Sequence, residues 1–231
     1  MLYKGVLTKM ESEFTDPINY YLSLGNDFVQ FHQLIQKKLK LKFLGFQCLN
    51  CESDSSIYRQ GFCKSCFFES PQTADWIMRP ENSKAHLGIE DRDLEYEKRV
   101  QLQPHIVYLA NSSNVKVGVT RKTQVPTRWI DQGATTALEI LEVPNRYLAG
   151  IAEVALKEYV SDKTNWREML KGKRTNESLS NWRNKLIPYL PEEVQPYILN
   201  NTEVLNLNFP VDKYPEKPKS LNIINLEKEL E

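Results

Sequence analysis

The chain has 231 residues, 41% of them hydrophobic, and balances 30 basic side chains against 30 acidic ones. That is material for one or two cores at ordinary domain sizes, and it excludes a bulk-polycation mode of nucleic-acid binding, leaving only a local basic patch. No apolar run approaches the ~18–20 residues needed to span a bilayer, and the N-terminal "MLYKGVLTKMESEF" has no basic region followed by a long apolar core.

The expectation is a cytoplasmic protein with no membrane partner and four reduced cysteines. In chain order, residues 2–10 and 18–24 alternate apolar and polar and predict strands. "GNDFVQFHQLIQKK" sets Phe28, Phe31, Leu34 and Ile35 at helical spacing behind an N-cap at Asn26 or Asp27, which predicts a helix. "KLKLKFLGFQCL" alternates strictly and predicts a strand with its lysines on a solvated face. Residues 1–46 thus read as a β-rich N-terminal region and 47–70 as a cysteine-bearing knuckle. Residues 71–103, with Pro71, Pro80 and "EDRDLEYEKR", read as a connector holding one short helix.

From Pro104 the pattern is strand, turn, strand, helix. "PTRWIDQG" begins with a proline suited to a first helical turn and ends with Gly133 suited to a helix stop. "ALEILEVP" is a third strand, and "RYLAGIAEVALKEYV" aligns Leu148, Ile151, Ala152, Ala155, Leu156 and Tyr159 on one helical stripe. "NESLSNWRNKLIPYL" and "PEEVQPYIL" predict helices and "EVLNLNF" a strand. Residues 104–172 therefore form one core unit and 173–231 a helical extension ending in a loosely held, proline-rich tail. The class is α/β in the broad sense, of α+β type.

"CLNC" and "CKSC" place Cys48, Cys51, Cys63 and Cys66 as two CxxC pairs separated by eleven residues. Each pair makes a tight turn presenting two thiolates, and two such turns complete a tetrahedron around Zn²⁺. Four thiolates leave no open position, so the zinc is structural, and metal binding contributes most of the knuckle's folding energy. A pair of redox-active dithiols is the alternative reading. His86 could be an accessory ligand; His32 and His105 stand in no motif.

"IVYLANSSNVKVGVTRKTQVPTRW" is a hairpin followed by cations, with no acidic residue from Lys116 to Arg128. "IVY", then "KVG", then an arginine on a helix resembles the GIY-YIG nuclease superfamily, in the variants whose second motif begins with lysine. The resemblance covers about residues 104–170. It implies Tyr108, Lys116, Arg128, Glu153 and Asn165 as the catalytic set, the last two from "AEVALKEYVSDKTN". Three departures stand out: Lys116 replaces a tyrosine, the Gly118-to-Arg128 spacing is longer by about two residues, and Gln132 stands where a histidine or tyrosine is usual. Over most of its length the chain also resembles a bacterial family of unknown function that joins such a knuckle to segments like "VYLANSS", "TRWIDQGA" and "DKTNWR". That resemblance implies an architecture, and further sheet-forming chain beyond this C-terminus.

The chemistry of phosphodiester hydrolysis fits these residue types. Tyrosine, with a reference pKa of ~10, is too weak a base at neutral pH unless a nearby ammonium favours phenolate; Lys116 is the candidate for that charge. Glu153 is a candidate ligand for Mg²⁺, with waters and phosphate completing the shell. Arg128 offers a planar fork of donors to phosphate. Arg121, Lys122, Arg128 and Trp129 are the candidate contacts to DNA or RNA, the tryptophan by stacking on a base. Three functions stay open: a metal-dependent endonuclease, a non-catalytic nucleic-acid-binding protein, and a protein-interaction or regulatory module. Oligomeric state, DNA against RNA, and target are not legible.

Overall fold

The computed structural model describes residues 2–34, 37–161, 163–211 and 214. It is a mixed α+β protein with two antiparallel sheets. No helix among the described residues is long and apolar enough to cross a membrane.

The first sheet runs β1 (Glu11–Glu13), β2 (Asn19–Leu24), β3 (Asp27–Gln30), in that order. Residues 2–10, expected as a strand, contribute only the isolated bridge of Leu7 to Leu24. The helix expected behind Asn26 is absent. Gly25, at a φ of 63°, forms a two-residue turn with Asn26, and Leu24 pairs with Asp27. A glycine-asparagine turn at positive φ reverses the chain and overrides a short helical stripe. Phe28 consequently meets Tyr21 edge-on, with ring centroids 5.8 Å apart. Phe31–Leu34 is a single 3₁₀ turn, and Ile35 lies outside the described residues. The alternating segment after it, described from Lys37, joins no ladder, and Leu39, Leu41 and Leu44 stay exposed. Alternation gives a strand its two faces but does not supply a partner edge.

Beyond the knuckle and its helix α1 (Lys64–Glu69), the presumed connector proves structured. Four 3₁₀ turns lead into α2 (Leu94–Gln101), capped by Asp93, whose side chain accepts from the Tyr96 N–H at 2.9 Å. The buried Glu97 carboxylate gathers the successive N–H groups of Asp91, Arg92 and Asp93. Such a carboxylate replaces water for three otherwise orphaned donors.

The second sheet holds β4 (His105–Asn111), β5 (Val115–Arg121), β6 (Thr136–Val143) and β7 (Leu205–Asn206), in the order β5-β4-β6-β7. Every residue of β4 is buried, and its alternation divides two cores. Ile106, Tyr108 and Ala110 face Trp129 and Ile130 of α3 (Thr127–Asp131), which stops at Gly133 as expected, at a φ of 63°. Val107 and Leu109 face the opposite layer, where α4 (Arg146–Lys157) contributes Ala149, Ala152 and Leu156. Of the expected stripe, Ala152 and Leu156 lie in this core and Leu148 and Ile151 pack against it, while the helix ends before Tyr159, which stacks on Tyr189. The short α5 (Trp166–Leu170) follows, then α6 (Leu179–Leu186), whose end residues complete the α4 layer.

The C-terminal extension is thus part of the same core. Leu190 and Val194 belong to it, the latter from a 3₁₀ stretch over Glu192–Tyr197 rather than an α-helix. β7 is shorter than the expected 203–209 and pairs Leu205 with Ala137. Most of the expected loose tail lies outside the described residues.

The 71–103 segment docks on α4. At Gly150 a Cβ would fall 2.2 Å from the Glu81 nitrogen and 2.5 Å from the Pro80 carbonyl carbon. Arg146 donates from Nε to Trp76 O at 3.0 Å and from Nη2 to Ile77 O at 2.7 Å. His86 stacks on Tyr147 at 4.5 Å, which leaves it structural rather than a metal ligand. Gly150→Ala should therefore force two backbones apart and lower stability by about 1–3 kcal/mol. The exposed Val154→Ala on the same helix should cost less than about 0.5 kcal/mol. Thermal unfolding of the two variants checks this; a native melting temperature for Gly150→Ala contradicts the docking.

Candidate functional sites

The knuckle is built by two turns. In the first, the Glu52 N–H donates to Cys48 O at 2.9 Å and the chain passes through a φ of 58° at Glu52. In the second, Gln60 and Gly61 have positive φ and the Phe62 N–H donates to Arg59 O at 2.9 Å. The Phe67 N–H then donates to Cys63 O as α1 begins. The four sulfurs lie within 4.8 Å of one another, with Cys51 and Cys63 at 3.9 Å. A tetrahedral ion with Zn–S of ~2.3 Å requires sulfurs ~3.8 Å apart, so a small contraction suffices.

Donors surround the sulfurs. The Cys63 N–H points to Cys48 Sγ at 3.3 Å, and Asn50 Nδ2 to Cys66 Sγ at 3.4 Å. Backbone donation, that from Cys51 foremost, lowers Cys48 to about 6. At Cys66 the Asn50 amide pulls downward, yet burial and the neighbouring thiols carry it up to about 12. Four thiolates this close repel, so the full set ionises only around a cation. The donor set suits a soft divalent metal such as zinc. Chelation should therefore render residues 47–70 protease-sensitive before 104–172. Metal stoichiometry and mapped cleavage sites check this; simultaneous loss of the whole chain would mean that knuckle and sheet unfold as one.

The second site lies at the β5 edge of the larger sheet. Tyr108 and Gly118 are register partners, and a Cβ at Gly118 would sit 2.7 Å from the Tyr108 hydroxyl. The phenol thus lies across the glycine, and its O–H donates to Gln132 Oε1 at 2.9 Å. Burial pushes Tyr108 up to about 12, with Arg128 opposing and Glu153 adding to the shift. Burial likewise pulls Arg146 down to about 10; Glu153 opposes this, while Arg121 and Arg128 reinforce it. Tyr108, Arg128 and Glu153 therefore share one electrostatic neighbourhood with Arg121 and Arg146.

Other expected members go elsewhere. Lys116 pairs with Ala110, two positions along the strand from the Tyr108–Gly118 pair. It is buried, and its ammonium donates to Thr164 Oγ1, which meets Ser112 Oγ at 3.1 Å. Its ammonium thus meets Thr164, two register positions from Tyr108, whose own shift is set chiefly by burial, with Arg128 opposing. Asn165 caps α5, accepting the Glu168 N–H at 3.3 Å. Lys122 is not an unpaired cation, because Glu142 holds it with both oxygens at 2.8 Å. Trp129 is only 3% exposed and packs 5.7 Å from the Tyr108 ring, so it offers no face to a base. Glu153 is mostly buried, 3.3 Å from the Lys157 ammonium.

Arg146 was not anticipated. Its one signal is position: a cation in the first turn of a helix opposes the dipole there, which is worth accepting only if the side chain has other work.

The fold and its two sites define an α+β protein that combines a four-cysteine candidate metal centre with a tyrosine–arginine–glutamate cluster on an antiparallel sheet. The chain belongs to the family described as "Protein of unknown function (DUF2797)", whose model matches residues 36–230. Searches of curated proteins and of solved structures found no match.

The raised Tyr108 value has a consequence at high pH. A phenol at about 12 in the folded chain against 10.0 unfolded favours folding below pH 10 and loses that contribution as pH rises toward 12. Alkaline unfolding should show it: the stability difference between wild type and Tyr108→Phe should shrink across that interval. A constant difference contradicts the burial of the hydroxyl.

Proposed function

We propose that the chain is a nucleic-acid-processing protein whose larger sheet is a GIY-YIG-type core gripping a phosphodiester between Arg121, Arg128 and Arg146. The observation that carries this reading is that Arg128 and Glu153 act both on Tyr108, which lies across Gly118, and on Arg146. Three guanidiniums, Arg121, Arg128 and Arg146, beside two carboxylates, Glu153 and Glu81, make a net positive neighbourhood on a neutral chain, and guanidinium forks match phosphate oxygens. The order of parts supports it too: hairpin, arginine on α3, glutamate on α4. The knuckle, with Zn²⁺, is a structural companion.

Cleavage would place Mg²⁺ on Glu153, with phosphate oxygens supplying other ligands; the ion would stabilise developing negative charge when bound. Glu153 offers one carboxylate, which suffices only if Lys157 yields it. Tyr108 keeps its proton at neutral pH and holds Gln132, so it positions α3 rather than deprotonating water. The same observations favour a second reading, binding without cleavage.

Both readings predict salt-dependent binding of DNA or RNA. Arg128→Ala should weaken it roughly 10-fold or more, the loss of one charge-assisted contact. Glu153→Gln should keep binding and abolish Mg²⁺-dependent product formation. Equal degradation by wild type and Glu153→Gln would assign the activity to a contaminant and leave binding alone. Absence of binding at low salt would remove both readings.

A further inference from the structure

A cavity of about 590 Å³ opens between the first sheet, the end of α3, α5 and the C-terminal segment. Its walls include Met10, Tyr20, Ile130, Met169, Phe209 and Tyr214. The volume falls in the ~300–1,000 Å³ range of small-molecule sites, which are mostly apolar with a few placed polar groups. Here the polar groups are Lys9, Asp131 and Arg174.

Two of these three cancel. Lys9 and Asp131 form an ion pair, with the lysine largely in solvent. Arg174 is different. Its Nη1 donates to Met169 O at 3.1 Å and Lys173 O at 2.8 Å, which fixes the guanidinium in place. Its plane lies near Tyr214, 5.7 Å from the ring centroid. Nε is buried with no acceptor, Nη2 has none among the described residues, and no carboxylate there pairs with Arg174. An oriented, half-buried cation with two unused donors in an apolar wall is costly without an anion. Other cations close by in sequence already have a carboxylate partner, since Lys171 and Lys173 both pair with Glu168.

We propose that this cavity binds a small apolar carboxylate: a hydrocarbon or aromatic body against Tyr20, Met169 and Phe209, and an anionic head at Arg174. The ligand is one organic acid, since the walls carry no second uncompensated charge. The site shares α3 with the Tyr108 cluster, because Ile130, Asp131 and Gly133 flank Gln132, the acceptor of the Tyr108 hydroxyl. The proposal does not rest on nucleic-acid binding.

Titration calorimetry of the full chain, with dodecanoate as the probe and dodecanol as its uncharged counterpart, tests it. Dodecanoate should bind saturably at one site per chain. Arg174→Gln should weaken dodecanoate roughly 10-fold or more while changing dodecanol by less than about twofold. Leu170→Trp, and independently Val211→Trp, should fill the space and remove both ligands; thermal unfolding establishes that each variant is folded. The proposal is overturned if dodecanoate fails to bind wild type, if Arg174→Gln weakens both probes equally, or if neither folded tryptophan variant loses binding.

Discussion

Tyr108 lies across Gly118, and much of the molecule follows from that contact. The phenol occupies the space that any side chain at 118 would need. This fixes the strand register, since a slip of one residue would bring a valine against the ring. It also aims the hydroxyl at Gln132 and the ring at Trp129, which binds α3 to the sheet. With α3 held there, Arg128 is carried to the hydroxyl end of the phenol. One small residue opposite one large one therefore sets pairing, helix placement and the position of a charge.

The opposite layer uses the same device. Gly150 lets α4 approach the Pro80–Asn82 turn backbone to backbone, and Arg146, one turn earlier, ties that contact with two carbonyl hydrogen bonds. A guanidinium pinned in this way has little freedom left to lose when an anion arrives. The burial of its charge is offset by Glu153 on the same helix and by Glu81 in the docked turn. The cluster is thus preorganised by packing contacts made outside it.

What the sequence disclosed, and what it hid, follows from range. The cysteine spacing was legible because the knuckle's turns are local. So were the hairpin, α3 with its Gly133 stop, and the apolar β6. Tyr108, Arg128 and Glu153 are candidates only through the GIY-YIG resemblance, and the fold brings them into one electrostatic neighbourhood. Lys116 could not be placed, because its partner Thr164 comes from a loop forty-eight residues away. Gly25–Asn26 is a hairpin cue that competes in sequence with a helical stripe, and the turn wins. The strictly alternating lysine-leucine segment has the pattern of a strand and no edge to join, and no local feature distinguishes the two cases. Arg146 and the docked 71–103 segment depend on a close approach between distant backbones, announced in sequence only by an unremarkable glycine.

The central claim is that Arg121, Arg128 and Arg146 act together as one phosphate-binding unit around Tyr108. Nuclear magnetic resonance of ¹⁵N-arginine-labelled protein, titrated with a short oligonucleotide at low salt, measures this at the guanidinium groups themselves. The account predicts that the Nε resonances of these three arginines shift together with a single affinity, while Arg59 and Arg174 stay in place. Shifts confined to arginines outside the cluster, or three unrelated binding curves within it, would contradict the account.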